Sequence, residues 1–247
     1  MKLVRFIYKN KIYSGTLDNN EVSFQDSSIG CIPLPHKDIR LLAPVEPSKI
    51  VSVGLNYKSH AKELGMKIPD EPVIFLKPPT SVIGPGDAII YPASAGRVDY
   101  EAELAIIIKK TARHVLKKDA QQYILGYTCF NDVTARDLQA KDGEWTRAKS
   151  FDTFAPIGPW IETELAPKNL RLQTYLNGQI KQDSRTSEFI FDIPHLIEFI
   201  TDIMTLLPGD VITTGTPENV GPMCPGDEVV VEIEGIGKLK NYVTNKR

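Results

Sequence analysis

The chain has 247 residues, 42% of them hydrophobic and 24% charged, the balance of an ordinary soluble globular protein. Its 29 basic and 31 acidic residues give a formal net charge of −2 with no basic block, which removes the electrostatic basis for a nucleic-acid or membrane partner. No apolar run approaches the ~18 residues of a spanning helix, Met1–Lys9 lacks a signal-peptide core, and the odd, scattered Cys31, Cys129 and Cys224 suggest reduced thiols in a cytoplasmic protein.

Residues 1–48 read as a small β-meander. Leu3–Tyr8, Lys11–Leu17 and Glu21–Phe24 are strand-like runs, broken at Lys9-Asn10 and Asp18-Asn19-Asn20. Ala43-Pro44-Val45-Glu46-Pro47-Ser48 marks a boundary with a second region, residues 49–247. Helices are predicted over Asn56–Leu64, Thr134–Ala140 and Pro194–Leu206, where proline suits the first turn. Pro85-Gly86-Asp87, Pro208-Gly209-Asp210 and Pro225-Gly226-Asp227 each lead into an apolar, β-branched run; their irregular spacing indicates turn chemistry and not a repeat. Asn177-Gly178 is a hairpin signal. Strands outnumber helices without regular alternation, so the expected class is α+β, dominated by mixed β-sheet.

The chemistry begins at Asp99-Tyr100-Glu101-Ala102-Glu103-Leu104, which runs into Ala105-Ile106-Ile107-Ile108. A strand there sends residues i and i+2 to one face and aims Glu101 and Glu103 at one point. Two such charges are costly together unless something positive lies between them. Asp132 offers a third oxygen. Hard oxygen ligands without Cys or His favour Mg²⁺, Mn²⁺ or Ca²⁺, and three ligands leave about half of an octahedral shell open. A solvated strand face, with Asp132 capping a helix at Thr134, would carry the same letters. His60 and Glu63, spaced i, i+3, would be neighbours on a helical turn, where a carboxylate raises imidazole basicity and water is the natural nucleophile. Lys149, in an aromatic-flanked segment, could meet a substrate anion. Thr213-Thr214-Gly215-Thr216-Pro217 could hold a carboxylate through backbone amides and hydroxyls.

In chain order the segments are Gly-x-Asn-Tyr-x-x-His-x-x-Glu from Gly54, Glu-x-Glu-Leu from Glu101, Asn-Asp-Val-Thr-Ala-Arg-Asp-Leu-Gln from Asn131, Ala-Lys-Ser-Phe-Asp from Ala148, and Thr-Gly-Thr-Pro from Thr214. Together with Phe75-Leu76-Lys77-Pro78 and Val220-Gly221-Pro222, they resemble the fumarylacetoacetate hydrolase superfamily, in its bacterial acylpyruvase, oxaloacetate decarboxylase and 2-hydroxyhepta-2,4-diene-1,7-dioate isomerase-like branch. The resemblance spans about Lys49 to Val243, and residues 1–48 resemble the small N-terminal extension of many bacterial members. It implies a β-rich roll or sandwich with Mg²⁺ or Mn²⁺, or alternatively Ca²⁺, on Glu101, Glu103 and Asp132. It further implies a water-activating dyad of His60 and Glu63 on a segment that closes over ligand. Arg136, Gln139 and Tyr57 would contact substrate, Lys149 would neutralise the substrate or its enolate, Thr216 would bind a substrate carboxylate, and the protein would be a homodimer.

A 2-oxo acid could present its keto and carboxylate oxygens to such a metal, which would favour enolate formation at the adjacent carbon. Loss of an acyl group to water, loss of carbon dioxide, or a proton shift without bond cleavage are then three outcomes of one site. The expected function is C–C bond cleavage in a short 2-oxo acid such as an acylpyruvate or oxaloacetate. The alternative is isomerisation of a 2-hydroxymuconate-type or enol–keto substrate, and a non-catalytic metabolite-binding protein is a third class.

Overall fold

The computed structural model describes residues 1–26, 30–63 and 65–245. Leu64, the expected end of the first helix, and the Cys31 side chain lie outside the described residues.

A twelve-stranded mixed sheet forms the frame among the described residues. Its path runs Gly30–Pro35, Glu21–Asp26, Lys11–Asp18, Lys2–Tyr8, Ala155–Glu162, Ile124–Asn131, Ala102–Ile108, Val211–Thr213, Ile50–Val53 and Ile74–Lys77. The apolar run noted in the sequence is central in this sheet and buried on both faces. Leu104, Ile106 and Ile108 enter one core, while Ala105 and Ile107 enter another, so strict two-residue alternation fills both sides. The first core is closed by a five-stranded sheet built on Arg171–Leu176 and Glu228–Ile233, and by the helix Ile193–Ile203. A three-stranded sheet of Thr134–Ala135, Val98–Tyr100 and Gly221–Met223 brackets the acidic segment.

The meander forms as expected, with Lys9-Asn10 and Asn19-Asn20 at positive φ in its turns. It is not a separate sheet, because Lys2 and Leu3 pair with Glu162 and Ile161 and extend the main one. Asn177-Gly178 also has two positive φ angles, 52° and 77°, the geometry a tight hairpin requires. The three Pro-Gly-Asp turns share one device. Asp87, Asp210 and Asp227 accept hydrogen bonds from the backbone N–H three residues earlier, at 2.9, 2.7 and 2.6 Å, before the next strand begins.

Three helices sit differently from expectation. Thr134–Ala135 is a strand paired with Val98 and Asp99, so the helix opens only at Arg136 and spans Arg136–Asp142. Asp132 consequently caps no helix. The long helix begins at Ile193, capped by the Asp192 carboxylate on the His195 N–H, and stops at Ile203 because Leu206 bridges to Ala112. The first helix opens two residues later than expected, at Lys58, and is described through Glu63. No helix among the described residues is long and apolar enough to cross a membrane.

Candidate metal centre and cavity

Two neighbouring antiparallel strands deliver the acidic groups. Ala102 pairs with Asn131 and Glu103 with Phe130, which leaves Glu101 and Asp132 facing each other where the strands end. The Asp132 N–H donates to the Glu101 carbonyl at 2.8 Å, and the Asn131 side chain accepts from the Glu101 N–H at 2.9 Å. Glu101 itself lies at the break between the Val98–Tyr100 and Ala102–Ile108 strands. Glu101, Glu103 and Asp132 are all buried, and each offers a carboxylate oxygen within 4.8 Å of the others. The sequence reading of one point shared by three carboxylates therefore holds.

Basic groups meet two of the three. Lys149, at the end of the short helix Thr146–Lys149, donates from Nζ to Glu101 Oε2 at 2.7 Å and to Asp132 Oδ2 at 2.5 Å. Lys77 donates from Nζ to Asp132 Oδ1 at 2.5 Å and to the Val133 carbonyl at 3.3 Å. Arg136 donates to Glu101 Oε1, to Asp99 Oδ2 at 2.9 Å and to Gln139 Oε1 at 2.7 Å. Arg97 completes the chain on Asp99 at 2.7 Å.

Glu103 has no ion-pair partner among the described residues and accepts a hydrogen bond from the Gly215 N–H at 2.8 Å. Burial, then the charges of Asp132 and Glu101, raise its pKa well above the carboxylate range. Glu101 goes the other way. Burial alone would raise it, but Lys149 and Arg136 outweigh burial and hold it at about 2. Lys149 is likewise penalised by burial yet raised overall by Asp132 and Glu101, while burial keeps Lys77 lowered against the pull of Asp132. Three converging hard oxygen donors, one of them a buried carboxylate lacking a basic partner, fit a divalent cation. Glu101, Glu103 and Asp132 would hold it.

These carboxylates line a cavity of about 490 Å³ together with His60, Arg136, Gln139, Lys149 and Thr216. His60 Nδ1 and Glu63 Oε2 lie 2.9 Å apart, so the dyad forms on its predicted turn. Glu63 does not line the cavity; its Oε1 accepts from the Asn219 N–H at 3.1 Å, tying the helix to the segment that follows the Thr214–Pro217 turn. Thr216 is held there by Gln182, whose Nε2 donates to the Thr216 hydroxyl at 2.9 Å. Gly215 has a φ of 85°, and a Cβ there would come within 2.9 Å of Asn56 Cβ and the Gly54 carbonyl, so the turn needs glycine. Asn56 explains its own place in the motif: Nδ2 donates to the Thr214 carbonyl at 2.8 Å and Oδ1 accepts from the Phe191 N–H at 2.8 Å.

Tyr57 departs from the expected substrate contact. It is fully buried, its ring meets Phe189 edge-on at 5.0 Å, and it is absent from the cavity wall. Sequence reasoning missed Lys77, Asp99 and Trp145. Lys77 was visible in the Phe75-Leu76-Lys77-Pro78 segment but without a role, Asp99 as a carboxylate next to the Glu-x-Glu pair, and Trp145 as an aromatic near Lys149.

Residues 49–244 match the Fumarylacetoacetate (FAA) hydrolase C-terminal family. The chain belongs to this family. A solved relative, a 5-carboxymethyl-2-hydroxymuconate delta-isomerase from Mycobacterium smegmatis, is 47% identical with a TM-score of 0.92 and 100% coverage of both chains. The mitochondrial oxaloacetate tautomerase of Rattus norvegicus is 40% identical over 222 residues, covering 85% of this chain and 71% of its own. A maleylpyruvate hydrolase from Sphingobium sp. SYK-6, solved with manganese(II) and pyruvate, is 31% identical with a TM-score of 0.86 and 100% coverage of both chains. The fumarylacetoacetate hydrolase fold thus surrounds isomerases, tautomerases and hydrolases among the relatives of this chain.

Proposed function

We propose that the protein is a divalent-cation-dependent enzyme that enolises short 2-oxo acids and cleaves the C–C bond beyond the enolised carbon when that bond carries an acyl or carboxylate group. One observation carries the reading: the three converging carboxylates and the His60 imidazole face a single cavity. The manganese and pyruvate in the maleylpyruvate hydrolase relative support Mg²⁺ or Mn²⁺ and a 2-oxo acid.

A cation on Glu101, Glu103 and Asp132 would supply Lewis-acid polarisation of the keto oxygen. The remaining steps belong to the chain. The Thr216 oxygen is already engaged by Gln182, which leaves the hydroxyl proton for a substrate carboxylate. Gln139 spends its carbonyl on Arg136 and keeps its amide protons for substrate. The Lys149 ammonium offsets negative charge developing at the keto oxygen. His60 faces Glu63 with Nδ1, so Nε2 is the nitrogen left to act as base. For an acylpyruvate it takes a proton from water, which attacks the acyl carbonyl; the C–C bond breaks toward the pyruvate enolate, and a proton returned to that carbon gives pyruvate and a carboxylate.

A second reading ends at the proton shift: the same base moves a proton between carbon and oxygen and no bond to carbon breaks. It is favoured by the higher identity to the isomerase and the tautomerase, 47% and 40%, than to the hydrolase, 31%. Parallel measurement of pyruvate release and of enol absorbance separates the two. Pyruvate formed from acetylpyruvate or oxaloacetate supports cleavage; loss of enol absorbance without pyruvate supports tautomerisation; neither sinks both. We also propose a homodimer, on family resemblance, to be tested by sedimentation.

A further inference from the structure

The cavity is chemically lopsided. Arg136 and Lys149 sit on its carboxylates, while Val53, Leu55, Met66, Phe75, Ala140 and Trp145 give it an apolar wall, with Gly54 and Gly143 between them. Phe75 joins the two parts. Lys149 Nζ lies 5.2 Å from its ring centroid, and the Trp145 ring meets it edge-on at 5.1 Å and 78°. Trp145 is itself fixed from behind, because a Cβ on Gly54 would stand 3.0 Å from Trp145 Cη2 and Cζ3. Rigid aromatic walls of this kind bury apolar surface at low entropic cost.

The charges in the cavity are spoken for. Arg136 is bound to Asp99 and Glu101, and Lys149 to Glu101 and Asp132. Among the described residues lining the cavity, no other lysine or arginine is present to receive a carboxylate at the far end of a substrate. A carboxylate set against the half-buried rings of Trp145 and Phe75 would lose part of its hydration without gaining a charged partner.

We propose that Leu55, Met66, Phe75, Ala140 and Trp145 form a tail subsite that selects 2-oxo acids with an alkyl or aryl tail over those whose equally long tail ends in a carboxylate; oxaloacetate, whose second carboxylate sits directly on the enolised carbon, carries no such tail. This rests on the 2-oxo acid reading of the site and adds the substrate class: acylpyruvates with an apolar acyl group. A growing alkyl tail gains burial with each methylene, and a terminal carboxylate gains none.

The test is calorimetric binding to the Mn²⁺-loaded protein of 2-oxo monoacids from 2-oxobutyrate to 2-oxooctanoate, beside 2-oxoglutarate and 2-oxoadipate. Affinity is expected to rise about fourfold per methylene in the monoacids, from the transfer free energy of one buried CH₂ group, and to be at least tenfold weaker for a diacid than for the monoacid of equal chain length. Trp145→Phe should retain the slope and Trp145→Ala should flatten it. Met66→Lys should favour the diacids. Diacids binding as tightly as monoacids, a flat series in the unsubstituted protein, or no binding of either would overturn the subsite. The predicted binding order without turnover of any acylpyruvate would instead overturn the cleavage reading and leave the subsite standing.

Discussion

Lys77 Nζ and Asp132 Oδ1 lie 2.5 Å apart with both side chains essentially closed to solvent, at 0% and 1% exposure. The pair joins the Ile74–Lys77 edge strand to the turn after Ile124–Asn131, and so fixes one of the three carboxylates. Removing one partner of such a buried pair leaves an uncompensated charge and costs about 3–5 kcal/mol. Lys77→Met should therefore lower the unfolding free energy by that order, read as the denaturant midpoint at constant slope. An unchanged midpoint would show that Asp132 is adequately held by Lys149 alone.

Glu103 carries the burden of the site, because it is buried without a basic partner. Glu103→Gln should leave the cation-free protein at least as stable as the unsubstituted one, and should abolish stabilisation by Mn²⁺. Thermal unfolding with EDTA and with Mn²⁺ checks both statements. Loss of stability in EDTA would show that the ionised carboxylate itself is favourable there.

The pH dependence follows from two opposed shifts. The folded pKa of Glu103 is raised above the ordinary 4.5, so its contribution is present below 4.5 and lost as pH rises through the folded value. Glu101 is lowered from 4.5 to about 2, so its contribution is present above 4.5 and lost as pH falls from there toward 2. In EDTA, stability should decline as pH rises above 4.5, and Glu103→Gln should remove that decline. On the acid side, Glu101→Gln should flatten the fall between pH 4.5 and 2.

The His60–Glu63 contact of 2.9 Å predicts a split between chemistry and binding. His60→Ala should reduce kcat by about 10²–10⁴, the usual range for a lost general base, while the calorimetric affinity for Mn²⁺ is unchanged. Glu63→Gln should act more mildly and in the same direction. Equal loss of Mn²⁺ affinity and kcat would place His60 in the structure of the site and not in its chemistry.

Much of this arrangement was legible in the sequence because two-residue periodicity and local turn chemistry decide it. The strand through Leu104–Ile108, the Asn177-Gly178 hairpin and the Glu101–Glu103 face are all read from neighbours in the chain. The acidic trio needed one long-range step, the pairing of Ala102 with Asn131, which only the motif order suggested. What escaped is what tertiary contact alone determines. Thr134–Ala135 is drawn into a strand by Val98 and Asp99, against the helical pattern that follows. Lys77 stood in the Phe75-Leu76-Lys77-Pro78 motif without an assigned role and is a buried counter-ion. Tyr57 sat inside a functional motif yet packs on Phe189, since sequence spacing cannot say which way a loop residue turns.

The central claim, cation-dependent enolisation of a 2-oxo acid, is tested most directly by hydrogen exchange at carbon. Pyruvate in D₂O, followed by proton NMR with the Mg²⁺-loaded protein, should lose its methyl signal. The loss should stop with EDTA and with Glu103→Gln, and should not occur with Mg²⁺ alone. A methyl signal that persists beside the loaded protein, or that disappears equally in EDTA, would contradict the account.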